Sequence, residues 1–79
     1  MSSVDRRELD ARPDESTIAA LRKEAEGQDV SIEAHYPAGD DQKRLVVSPR
    51  GTVVVLNDVS ETTFNRSTSP AEIAAQLRE

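Results

Sequence analysis

One stretch constrains this chain more than any other: Lys43 to Asn57, K-R-L-V-V-S-P-R-G-T-V-V-V-L-N. Two runs of β-branched and aliphatic residues flank Ser48-Pro49-Arg50-Gly51. Proline pre-sets φ for the second turn position, and glycine takes the left-handed conformation that follows. A type I turn closed by a glycine bulge makes a three-residue loop and sets the pairing. Ser48 then faces Thr52, Val47 faces Val53, Val46 faces Val54, Leu45 faces Val55 and Arg44 faces Leu56. Strand alternation sorts these into two faces. Leu45, Val47, Val53 and Val55 form a wholly apolar side, the expected core side. Arg44, Val46, Ser48, Thr52, Val54 and Leu56 form a mixed side. A slip of one residue would exchange the faces, so the assignment rests on the turn.

The rest of the chain supplies partners for this hairpin. Residues 1–12 are polar and charged without apolar period and read as a flexible tail, with Val4 and Leu9 as residues that would dock if it ordered. Residues 13–79 read as a single domain. A helix is expected from Asp14 to Glu26. Pro13 suits its first turn, Ile18, Leu21 and Ala25 recur on one stripe, and Gly27 suits its stop. Val30 to Tyr36 alternates as a half-buried strand, and Pro37 to Gln42 reads as a loop. Asn57 to Glu61 reads as a turn, and Thr62 to Asn65 as a short further strand. Ser69-Pro70-Ala71-Glu72 has the pattern of a capping box and opens a helix whose apolar stripe is Ile73, Ala74 and Leu77. The expected fold is a small two-layer α+β domain in the order α-β-β-β-(β)-α. An antiparallel meander of three or four strands carries the N-terminal and C-terminal helices on one face. The mixed face is left open.

Seventy-nine residues give a lean core, leaner still because Tyr36 and Phe64 are the only aromatics. Small domains recover stability from disulfides, metals or a partner chain. Cysteine is absent, which removes disulfides, thiolate metal sites and cysteine nucleophiles. One histidine, His35, offers a single nitrogen ligand, too few for a zinc site. Asp40 and Asp41, or Asp58 and Glu61, lack the spaced oxygen series of a calcium loop. No G-x-S-x-G and no phosphate-binding glycine loop occurs. The expectation is a chain without enzymatic activity, cofactor, metal or small-molecule substrate.

Charge adds two points. The net charge is −5, and of ten basic residues eight are arginine. High acid, few lysines and much Val, Thr and Ala match proteins that work in strong internal KCl, where screening relieves self-repulsion. Stability that rises with added KCl would be its signature. The charge is also spread evenly, about −2 over residues 1–27, −2 over 28–66 and −1 over 67–79. No apolar run reaches the ~20 residues that span a bilayer, and Met1 to Arg7 lacks the apolar stretch of a secretory signal, so a cytoplasmic location is the default.

The element order from Asp14 to Arg78 resembles that of double-stranded RNA-binding domains. That resemblance implies a basic cluster at the start of the last helix, lying across phosphates. Here the position reads Ser69-Pro70-Ala71-Glu72, with Arg66 the nearest cation. Two functional expectations follow. The first is a non-catalytic protein–protein interaction module, homodimeric or bound to another protein, with Arg44, Val46, Val54 and Leu56 at the interface. The alternative is a nucleic-acid-associated accessory or regulatory protein using Lys43, Arg44 and Arg50.

Overall fold

Ser48-Pro49-Arg50-Gly51 closes the hairpin as expected. In the computed structural model, which describes residues 4–57 and 59–78, Gly51 N–H donates to the Ser48 carbonyl at 3.0 Å. Gly51 sits at φ +95, the left-handed region that a bulge glycine occupies. Ser48 Oγ accepts from the N–H groups of Arg50 and Thr52, and Ser48 N–H donates to the Thr52 carbonyl at 2.9 Å. The flanking strands, β3 (Asp41–Val47) and β4 (Val53–Leu56), pair in the expected register: Arg44 with Leu56, Leu45 with Val55, Val46 with Val54 and Val47 with Val53.

The remaining elements are β1 (Val4–Glu8), α1 (Glu15–Gln28), β2 (Ser31–Ala38), β5 (Glu61–Phe64) and α2 (Pro70–Leu77). Five strands form one sheet in sequence order, β1-β2-β3-β4-β5. β2 through β5 are the antiparallel meander, and the further strand after the hairpin is β5. Both helices lie on the apolar face. The buried cluster joins Ile18, Leu21 and Ala25 of α1 to Ile73 and Ala74 of α2 over Ile32, Ala34, Tyr36, Leu45, Val47 and Val53. The architecture is the small α+β domain expected from the sequence.

Four details depart from the sequence reading. The first twelve residues are not all tail: Val4–Glu8 adds a fifth strand, parallel to β2, with Arg6 opposite Glu33 and Glu8 opposite His35. Hydropathy alternation misses it because its inward residues are charged. Arg7 lies against Glu24 of α1, with Nη1 3.1 Å from Oε1, and donates to Asp5 at 2.8 Å. Leu9, just beyond, packs on the core. Second, Pro37 to Gln42 is no open loop. Pro37 and Ala38 continue β2 opposite Gln42 and Asp41, leaving only Gly39-Asp40 as the turn. Positive φ at Gly39, +66, is what a two-residue hairpin with glycine first requires.

Third, Pro13 precedes the helix instead of entering it. Asp14 is the N-cap, its carboxylate accepting Thr17 N–H at 2.8 Å. Fourth, α1 runs through Gly27 and stops at Asp29, whose φ of 54 places the chain in the left-handed cap conformation. Asp tolerates that region better than most residues, so a glycine is not obligatory there. α2 begins as expected, with Pro70 in the first turn and Ser69 Oγ accepting Glu72 N–H at 3.2 Å.

Tyr36 is the largest buried side chain, 1% exposed, and its hydroxyl has no hydrogen-bond partner. Burial pushes the phenol above its ordinary pKa. A buried hydroxyl without a partner keeps its desolvation penalty, commonly ~1–3 kcal/mol. Tyr36→Phe keeps the ring and removes the penalty. We expect it to raise the unfolding free energy by about 1 kcal/mol in urea titrations. A loss of stability would mean that the hydroxyl has a partner in solution.

Candidate interaction surface

Strand register assembles the open face of the sheet. Opposite the helices, two cross-strand rows run from edge to edge. One reads Arg6, Glu33, Val46, Val54, Thr63; the next reads Glu8, His35, Arg44, Leu56, Glu61. Arg44, Val46, Val54 and Leu56, the expected interface residues, therefore meet as two adjacent facing pairs. Val46, Val54 and Leu56 are half-buried by their neighbours, and Arg44 is exposed. The three apolar side chains form an island between charged flanks.

The flanks were less legible. β2 carries Glu33 and His35 on this face, and their carboxylate and ring nitrogen meet at 2.8 Å. Arg6 of β1 approaches Glu33 at 4.0 Å. Arg6 and Glu8 join the face only because β1 pairs with β2. A residue pair of alternating charge at positions 6 and 8 was the signal available for them.

The His35 hydrogen bond holds the Glu33 carboxyl below its ordinary value of 4.5, with smaller pulls from Arg44 and Arg6. The Thr17 N–H does the same for Asp14, whose ordinary value is 3.8. Both groups ionise more readily folded than unfolded. Their contribution to stability is therefore complete above the ordinary values and is lost as pH falls through the folded ones. Stability is expected to fall as pH drops below about 4.5, and Glu33→Gln with Asp14→Ala should flatten that slope. The check is urea unfolding of parent and double variant from pH 6 downward; equal slopes would exclude these two carboxylates as the source.

The nucleic-acid candidates do not converge. Lys43 and Arg44 are neighbours on β3 and so point to opposite faces, Lys43 across from Tyr36 and Arg44 across from Leu56. Arg50 sits in the turn at the far end of the hairpin. The extra strand β1 also departs from the element order that carried the likeness to double-stranded RNA-binding domains.

Asp40 occupies the β2–β3 turn and Asp41 opens β3, both exposed; Glu61 opens β5, and Asp58 lies outside the described residues. No group of three His, Asp or Glu side chains placed to share a metal ion occurs among the described residues. No helix among them is long and apolar enough to cross a membrane.

Compared with protein-family models, curated proteins and solved structures, the chain finds no match.

Sequence reasoning also missed Arg22. On α1 it lies outside the apolar stripe of Ile18, Leu21 and Ala25. In the structure its Nη1 donates to the Thr68 carbonyl at 2.6 Å and its Nη2 to the Asn65 carbonyl at 3.2 Å. It ties the helix to the loop between β5 and α2. Asn65 organises the same loop, its Oδ1 accepting from Ser67 N–H at 3.0 Å and its backbone carbonyl from Thr68 N–H at 3.1 Å.

Proposed function

We propose that this chain is a small, non-catalytic interaction module of the cytoplasm whose open sheet face pairs with a second copy of itself. The observation that carries the reading is the self-complementarity of the two rows. A two-fold axis lying in the interface, perpendicular to the strands and between the rows, sets one row over the other. Arg6 then stands over Glu8 of the second copy, Glu33 over His35, and Val54 over Leu56, and the axis repeats each contact in reverse. Val46 stands over Arg44, whose methylene stem covers apolar surface while its charge stays at the rim. Sheets stacked face to face cross at about −30°, so alignment is best at the centre, where the apolar island lies.

The need for such a partner arises from the core. The buried hydrophobic core among the described residues consists of eleven side chains, and three of them are alanine. Adding a second face removes further apolar area from water at ~25 cal/mol per Å².

Absolute mass in solution tests the proposal, by light scattering on a sizing column at low and at multimolar KCl. Apolar burial predicts a dimer that persists at high salt. A monomer at both salts and at concentrations near 1 mM, where even a weak face (~4 kcal/mol) would associate, would refute it.

A further inference from the structure

Three arginines from three separate elements line one depression. Arg22 comes from α1, Arg50 from the turn between β3 and β4, and Arg66 from the loop between β5 and α2; the depression holds about 620 Å³. One carboxylate, Glu26, shares the wall. In a chain of net charge −5, this is a local excess of positive charge. Among the described residues no carboxylate lies within ion-pair distance of Arg50 or Arg66.

The cluster is held together by backbone packing and by hydrogen bonds to carbonyls, with no carboxylate partner among the described residues. Arg22 is fixed by the carbonyls of Asn65 and Thr68, and its Nε is buried without a partner. The turn approaches the loop so closely that a Cβ on Gly51 would stand 3.0 Å from Arg66 Cβ. That packing brings the backbone next to Arg50 against the backbone of Arg66. Like charges so gathered repel one another, and an anion between them removes the repulsion.

We propose that the depression binds a phosphoryl group of a small phosphorylated ligand. The planar fork of a guanidinium matches phosphate oxygens, and two exposed forks flank the opening. No aromatic side chain lines the wall, so nothing there stacks on a nucleobase. The ligand is recognised by its phosphates. The depression lies beyond the end of the hairpin that holds Val46 and Val54, so this binding is independent of the self-pairing face.

The test is a titration of ¹⁵N-labelled protein with sodium pyrophosphate at about 50 mM salt, where phosphate contacts are strongest. The expected result is saturable shifts of the Gly51, Thr52 and Arg66 amides at low-millimolar ligand, matched by ADP within about threefold. Arg50→Gln with Arg66→Gln changes two exposed side chains, so the fold, checked by circular dichroism, is retained. We expect it to weaken binding at least about tenfold. Three outcomes would overturn the proposal. One is no saturable shift, and another is equal titration of parent and double variant. The third is a 20-base-pair duplex binding more than about 100-fold tighter than pyrophosphate, with shifts reaching Arg6 and Arg44, which would assign the phosphates to nucleic acid.

Discussion

Val54→Asp is expected to leave the chain folded and to abolish the face-to-face dimer proposed for the parent. Val54 is half-buried on the open face, opposite Val46 and next to Leu56 in the apolar island. In one copy the new carboxylate stays hydrated, so the fold loses only ~1 kcal/mol from reduced strand preference and lost packing. In the dimer it would be desolvated against Leu56 of the second copy. A charge buried without a partner costs several kcal/mol, which weakens association by two orders of magnitude or more. Light scattering reads the mass, and circular dichroism reads the fold. An undiminished dimer would remove the open face from the interface. The flanks offer a second measurement. Arg6→Glu should weaken the dimer by placing like charges together, and adding Glu8→Arg should restore it. Edge residues that merely stabilise the monomer would not show this rescue.

Arg22→Met is expected to be the most destabilising single change away from the core. Met keeps an unbranched apolar stem as far as the position of arginine's Nε and removes both donors to the Asn65 and Thr68 carbonyls. Hydrogen bonds from a charged group contribute ~1.5–3 kcal/mol each, and the partial exposure of this site favours the lower end. A loss of about 3 kcal/mol is a large part of the ~4–12 kcal/mol available to a domain of this length. The midpoint of thermal unfolding should drop by roughly 10–20 °C. Lysine at the same position can reach one carbonyl but not both, so Arg22→Lys should fall between parent and Met. A Met variant within about 0.5 kcal/mol of the parent in urea would show that the loop holds without the clamp.

How much of this was legible depended on whether the signal was local. The hairpin was, because proline and glycine at fixed turn positions dictate backbone angles, and those angles dictate which side chains face one another. The N-cap serine before Pro70 was legible for the same reason. β1 was not, since a strand whose inward residues are Asp5 and Arg7 carries no apolar alternation, and the partner that Arg7 meets, Glu24, lies on α1 seventeen positions away. Arg22 was hidden because its partners are backbone carbonyls more than forty positions away, a contact without any residue-type signature. The cluster of Arg22, Arg50 and Arg66 depends on the same long-range closure. The apolar half of the candidate face was therefore readable from Val46, Val54 and Leu56, while its charged half required the register of β1.

The charged inner side of β1 has a bearing on what kind of assembly this chain can build. A free sheet edge invites another strand, and edge-to-edge addition has no natural end: each arrival exposes a fresh edge, and filaments grow. Here one edge strand keeps Asp5 and Arg7 engaged beneath it with Glu24, and the other, β5, is four residues long and largely threonine and glutamate. Neither offers a long apolar template. In the face-to-face pairing proposed above, growth would turn from the edges toward the open face, and two faces, once joined, would leave no third place to add.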